Sequence, residues 1–166
     1  MSAEHLEILK ESQIHVEIEG TDGTGKSTLA NLLDELLLKA YPKKKIITLN
    51  EFSSTRLGQM ITSVIKEGTF FSLTTTGSNY PLSETLCLAG DYFARLEELQ
   101  QEVDNSPDVI LSDRGILTFK VYQEMRLSKM YPNSDKLFNR WINQIFSMVR
   151  EPNTTIILTA SEQDIR

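Results

Sequence analysis

A chain of 166 residues, 40% hydrophobic and 24% charged, has the size and balance of one domain with its own core, which argues against a disordered chain. The formal net charge of −6 at pH 7 argues against a general binder of nucleic-acid polymers or anionic membranes and favours a small phosphorylated partner in a local basic pocket. The opening MSAEHLEILKESQ has no long apolar run, so neither a secretory signal nor a membrane span is expected, and the single Cys87 excludes an intrachain disulfide framework; both favour the cytoplasm.

Ile14, Val16 and Ile18 alternate with His15, Glu17 and Glu19, a two-residue period that predicts a first strand. His15 has no histidine or cysteine cluster near it and reads as structural. The strand runs into residues 20–28, GTDGTGKST, where Gly20, Gly25, Lys26 and Ser27 meet the pattern GxxxxGK[ST] and Gly23 adds another glycine. Glycines let successive N–H groups turn inward around an anion, and the helix that follows adds the partial positive charge of its N-terminus. A nucleotide triphosphate is therefore expected on Gly20, Thr21, Gly23, Thr24, Gly25, Lys26, Ser27 and Thr28, with Lys26 at the β- and γ-phosphates and the Ser27 hydroxyl on Mg²⁺.

Leu29, Leu32, Leu33, Leu36 and Leu37 predict a helix with one wide apolar stripe, stopped by Tyr41 and Pro42. Lys43, Lys44 and Lys45 read as a solvated turn before a second strand, Ile46–Leu49. Ser54 or Thr55 can cap a helix carrying Leu57, Met60, Ile61, Val64 and Ile65. Residues 68–81 form the longest helix-poor stretch, the kind of loop that is often functional. A long helix from about residue 82 to 103 is expected to place Leu82, Leu86, Ala89, Phe93, Leu96 and Leu99 on or near one face, with Cys87 as a buried small hydrophobe. Asn105, Ser106 and Pro107 end it.

Val109, Ile110 and Leu111 make a short apolar strand of the kind buried inside a parallel sheet. It delivers Ser112, Asp113 and Arg114 at its carboxyl end, where ligands sit in open α/β sheets. Asp113 would emerge beside the phosphate loop and either hold Mg²⁺, directly or through water, or cap a helix. Arg114 can grip a phosphate bidentately. Phe119, Val121, Tyr122 and Met125 lie on the next helix, Tyr131 and Pro132 turn the chain, and Leu137, Phe138, Trp141, Ile142, Ile145 and Met148 define another amphipathic helix. Thr154–Leu158 reads as a fourth strand, and Ser161 with Asp164 as a helix start. No repeat or composition shift marks a second domain.

Strands alternating with helices, a phosphate loop after the first strand and an Asp-Arg pair after the third imply an α/β, three-layer P-loop kinase fold, a parallel sheet flanked by helices. No Asn-Lys-x-Asp guanine signature occurs. The chain resembles the thymidylate kinase family over nearly its whole length, in several separate stretches. The spelling DGTGKST at residues 22–28 is typical of that family, and by resemblance Asp22 contacts the 3′-hydroxyl of the acceptor sugar. Thr55, Leu57 and Gly58 echo the segment after the second strand, with Arg56 as its nearest cation, which puts Arg56 and Leu57 on the acceptor side. LCLAGDYFARLEE at residues 86–98 is similar to the helix that holds the acceptor base, and places Leu88 and Tyr92 there. DRGILTFKVYQ at residues 113–123 resembles the block that carries the magnesium-associated acid, here Asp113, and the arginine on the acceptor phosphate, here Arg114. Thr118 falls within that block among the acceptor residues, and Tyr122 matches the aromatic that crowds the sugar 2′ position.

Five positions differ from the family pattern. Leu88 stands where a stacking phenylalanine is usual, Tyr92 where an arginine contacts the base, Gly115 where tyrosine or histidine is usual, and Ser53 with Ser54 replace an arginine or glycine pair. Leucine cannot stack as an aromatic does, and tyrosine has one hydroxyl where arginine has a fork of donors. The resemblance implies transfer of the ATP γ-phosphate, with Mg²⁺, to a deoxynucleoside monophosphate, dTMP to dTDP foremost. It also implies a homodimer, and a single kinase domain over residues 1–166 that ends before a lid helix and the adenine-contacting segment. The departures leave two alternatives open: a related kinase acting on another deoxynucleotide or a deoxynucleoside, or a nucleotide-binding module with weak catalysis.

Overall fold

The computed structural model describes residues 9, 12–67, 80–100 and 106–161. Among these residues the elements run β1 (Ile14–Gly20), α1 (Lys26–Ala40), β2 (Ile46–Leu49), α2 (Arg56–Lys66), α3 (Pro81–Gln100), β3 (Val109–Asp113), α4 (Ile116–Met130), α5 (Asp135–Phe146) and β4 (Thr154–Leu158). All strand pairs are parallel, in the order β2-β3-β1-β4. Because β1 and β3 are neighbours, with Val16 beside Leu111 and Ile18 beside Asp113, the loop leaving β1 and the residues leaving β3 emerge together. Three expectations fall wholly or partly outside the described residues: the loop at 68–79, the end of the long helix at 101–105, and the helix start at Ser161 and Asp164, of which only Ser161 is described. No helix among the described residues is long and apolar enough to cross a membrane.

The expected strands Ile46–Leu49 and Thr154–Leu158 are observed with those bounds, and Tyr41 caps the end of α1 as its place before Pro42 predicts. Thr55 caps α2, its hydroxyl oxygen accepting from the Gly58 N–H at 3.3 Å. The apolar stripes are narrower than their leucine content suggests. On α1 the buried arc centres on Lys26 and Ala30, flanked by Leu33 and Leu37, while Leu32 and Leu36 lie beyond its edge and are about half exposed. On α3 the expected Leu82 and Leu86 are exposed, and the buried face is instead Thr85, Leu88, Ala89, Asp91, Tyr92, Arg95 and Leu96. Its polar members are held by hydrogen bonds described below, which is what lets them displace leucine from the interior. Cys87 is only partly buried at the margin of the core. That core lies on one side of the sheet, where Leu96, Ile110, Leu127, Ile142 and Phe146 are buried together.

On this side β1 presents His15, Glu17 and Glu19, all buried, while Ile14 is exposed. Alternation announced the strand, but both faces are covered: the polar set lies on the core side, and Ile18 on the opposite face is fully buried. His15 Nε2 lies 2.9 Å from the Ser112 hydroxyl and 4.0 Å from Glu17 Oε1. Burial, helped by the charges of Arg95 and Arg150, holds the imidazole down at about 4. Burial pushes the Glu17 carboxyl up to about 7, against the pull of the Ile116 amide. Between these values both groups are neutral, so they do not form an ion pair.

The two shifts act on stability with opposite signs. An imidazole depressed in the fold contributes stability that is present above its ordinary value of 6.5 and lost as pH falls toward 4. A carboxyl raised in the fold contributes stability that is present below its ordinary 4.5 and lost as pH rises through 7. In denaturant titrations across pH, Glu17→Gln should therefore gain on the parent as pH rises through that window, by up to about 1.4 kcal/mol per unit. His15→Asn should lose on it. Variant curves that run parallel to the parent would show that neither group titrates in this way.

Candidate functional site

β1 ends in Gly20 at φ 145°, and a Cβ there would stand 2.5 Å from the carbonyl oxygen of Leu158 on β4, so the backbone and the neighbouring strand both require glycine. The loop closes on the Thr21 carbonyl, which accepts from the Thr24 N–H at 3.4 Å and the Thr24 hydroxyl at 2.8 Å. Gly25, at φ 89°, is the left-handed residue from which α1 starts. Lys26, 7% exposed, curls back so that Nζ donates to the same Thr21 carbonyl at 2.8 Å and lies 4.0 Å from Asp22 Oδ1. The Ser27 hydroxyl donates to Asp113 Oδ2 at 2.5 Å. Gly23, Gly25, Lys26, Ser27 and Thr28 line a cavity of about 390 Å³; Gly20, Thr21 and Thr24 shape the loop around it.

The alternative of Asp113 as a helix cap is not observed. The first amides of α4 go to β1 instead: Glu19 accepts from the Gly115 N–H at 3.0 Å, the Thr118 N–H at 3.1 Å and the Thr118 hydroxyl, and Glu17 accepts from the Ile116 N–H at 3.3 Å. Asp113 is left facing Ser27. A hydroxyl and a carboxylate side by side are hard oxygen donors suited to Mg²⁺. Among the described residues no group of three or more His, Cys, Asp and Glu side chains could cage a metal, and a Mg²⁺ carried by nucleotide phosphates needs none.

A second cavity, of about 280 Å³, lies between α3 and α4. Asp22, Glu51 and Arg114 belong to the walls of both cavities. Arg114 is held at φ 69°, uncommon for a residue with a side chain, and its N–H donates to the Ile18 carbonyl at 3.0 Å. Its guanidinium pairs with Asp22 through Nη2, reaches Glu51 Oε1 from Nε at 3.2 Å, and sits 5.9 Å from the centre of the Tyr122 ring. Burial pulls the guanidinium down, but the carboxylates of Glu51 and Asp22 more than offset this and hold it above its ordinary value, so it stays charged.

Of the residues expected on the acceptor side, Asp22, Leu88, Tyr92, Arg114, Thr118 and Tyr122 line this second cavity. Arg56 and Leu57 do not. Arg56 is exposed at the start of α2, and Leu57 packs toward α3, where its Cδ2 would meet a Cβ added at Gly90 at 3.6 Å.

Four polar or charged residues of this lining were not singled out from the sequence. Asp91 takes the Ser53 N–H at 3.1 Å and the Ser53 hydroxyl at 2.5 Å. Arg95 donates to the carbonyls of Asn50 at 2.6 Å, Glu51 at 3.3 Å and Arg114 at 3.3 Å, so α3 ties the loop after β2 to the turn after β3. Gln123 accepts from the Thr85 hydroxyl at 3.0 Å and from Arg126 Nη1 at 2.9 Å. Glu51 follows β2 at its carboxyl end, the same positional rule that picked out Asp113, and that rule could have found it. For Asp91 and Arg95 the available signal was two charges four residues apart inside an apolar helical period.

A family model described as thymidylate kinase matches residues 18–164. A probable thymidylate kinase from Methanospirillum hungatei is 31% identical over 143 residues, 86% of this chain and 61% of that protein. A thymidylate kinase from Legionella pneumophila is 34% identical over 109 residues, 64% of this chain and 47% of that protein. The chain thus spans about three fifths and about half of these two relatives. A solved thymidylate kinase structure from Ehrlichia chaffeensis superposes with a TM-score of 0.64 at 21% identity, over 89% of this chain and 75% of that one. At these identities the superposition speaks for the fold, the P-loop kinase arrangement of parallel sheet and flanking helices.

Proposed function

Since the chain belongs to the thymidylate kinase family, we propose that it transfers the γ-phosphoryl group of ATP to a deoxynucleoside monophosphate, dTMP foremost, to give dTDP. The observation that carries this reading is Arg114, charged and shared by the walls of two adjoining cavities, one of them the phosphate loop. ATP lies on the loop of residues 20–28, with Lys26 at the transferring end. Ser27 and Asp113 hold Mg²⁺, which supplies neutralisation of phosphate charge when bound. The acceptor occupies the second cavity, with Arg114 on its phosphate, Asp22 on its 3′-hydroxyl, Tyr122 and Thr118 beside the sugar, and Leu88 and Tyr92 at the base. No covalent enzyme intermediate is needed, because alignment of two phosphates and charge neutralisation are what in-line transfer requires.

A second reading is favoured by the Tyr92 hydroxyl, which turns to Glu17 at 3.4 Å and leaves no arginine fork in its place for a base. A deoxynucleotide or deoxynucleoside with another base would then be preferred. A coupled assay with MgATP across deoxynucleosides and their monophosphates decides between the two. Highest kcat/KM with dTMP is expected; preference for another acceptor establishes the second reading, and no product from any acceptor removes both.

The reading includes a homodimer, supported by apolar surface left at Met60 on α2 and at Leu82 and Leu86 on α3. Sedimentation should return twice the chain mass, and a monomer at micromolar concentration would remove this part. The reading also takes the cytoplasm as its compartment, where a free thiol such as that of Cys87 stays reduced.

A further inference from the structure

One buried carboxylate has no task in phosphoryl transfer as described. Glu17 is 1% exposed, and Glu19 beside it already serves the first turn of α4. Glu17 instead reaches two elements at once: it accepts the Ile116 N–H of α4 at 3.3 Å and the Tyr92 hydroxyl of α3 at 3.4 Å. Between Arg114 and Ile116 stands Gly115, at φ −145°. That angle lies outside the left-handed region. What excludes a side chain is Glu17, because a Cβ added at Gly115 would fall on its carboxylate. The strand thus lends a side chain to the space that residue 115 would otherwise fill.

We propose that Glu17 is a positioning residue of the acceptor cavity, joining the Tyr92 wall on α3 to the Arg114 turn at the head of α4. The inference rests on the acceptor reading given above. Arg114 and Gly115 are consecutive, so anything that lifts Gly115 off Glu17 also moves the guanidinium assigned to the acceptor phosphate. Tyr92 is fixed through the same oxygen, and the base wall and the phosphate grip shift together.

The test is a cycle of Glu17→Ala, Gly115→Ala and the double variant, with Glu17→Gln as the conservative control. It is read by thermal midpoints and by separate calorimetric titrations of dTMP and MgATP. Glu17→Gln, which keeps an acceptor oxygen, should bind dTMP within about twofold of the parent. Glu17→Ala and Gly115→Ala should each weaken dTMP about tenfold with MgATP unchanged, and the double variant should be no worse than Glu17→Ala. Equal weakening of dTMP and MgATP, or full addition in the double variant, overturns the proposal. If Glu17→Ala does not fold, Gly115→Ala alone decides, and parental dTMP affinity there overturns it. A parent that neither binds nor phosphorylates any monophosphate sinks the acceptor reading. The midpoints still report whether Glu17 and Gly115 share one space, and additive midpoints overturn the inference independently.

Discussion

Lys26→Ala is expected to lower kcat/KM for phosphoryl transfer by about a thousandfold, or about 4 kcal/mol of transition-state stabilisation, while the fold persists. The ammonium is already folded over the loop, on the Thr21 carbonyl, so binding a triphosphate needs only a local swing of the side chain. Its removal withdraws a fixed positive charge from the site at which negative charge accumulates during transfer. The cost to folding is small for a specific reason. A cation in the first turn of α1 stands at the positive end of the helix dipole, where it is unfavourable, and alanine is the better helix former. The thermal midpoint of the variant should therefore match or exceed that of the parent. A coupled assay beside circular dichroism reads both quantities, and unchanged turnover in a folded variant would remove the loop assignment.

Arg114→Ala should lower kcat/KM for the acceptor by about a hundredfold or more, with the KM for MgATP within about twofold. Arg114→Lys should fall between, because one ammonium cannot span a phosphate and a carboxylate as the guanidinium fork does. The ion pairs of Arg114 contribute little to stability: Asp22 is 89% exposed, so water screens that pair, and burial pushes the Glu51 carboxyl up, so its desolvation offsets the attraction to Arg114. The loss is thus read in kinetics and not in melting. Steady-state kinetics with each substrate varied in turn separates the outcomes. Equal damage to both substrates would place Arg114 in general support of the site and remove it from the acceptor phosphate.

Where local chemistry carried the signal, the chain was legible. Pro42 after Tyr41, the apolar runs Ile46–Leu49 and Val109–Leu111, and the glycines of residues 20–28 each specify a local geometry with little help from elsewhere. The meeting of Ser27 with Asp113 followed from one rule about strand ends. What stayed hidden depends on which face is covered. A two-residue period says that Glu17 and Val16 point apart but not that both faces are covered, and the ordinary weighting of charge against interior would leave Glu17 in solvent. The same holds on α3, where Asp91 and Arg95 are buried because loop atoms from β2 and β3 meet them, partners distant in sequence. Arg56 was grouped with the acceptor by its place in a motif; the turn that begins α2 points it to solvent.

The polar face of β1 also bears on how the sheet avoids assembling wrongly. In most central strands a slip of one residue is opposed only by apolar side chains reaching water. Here such a slip would carry His15, Glu17 and Glu19 to the α1 side, against Ala30 and its neighbouring leucines, away from Ser112, Tyr92 and the amides of α4. Three ionisable groups would then be buried without partners, each at a cost of several kcal/mol. The misaligned chain is thereby penalised far more than a slipped hydrophobic strand would be. The carboxylates that cap α4 act as a proofreading device for strand alignment, and the phosphate loop inherits its position from that alignment.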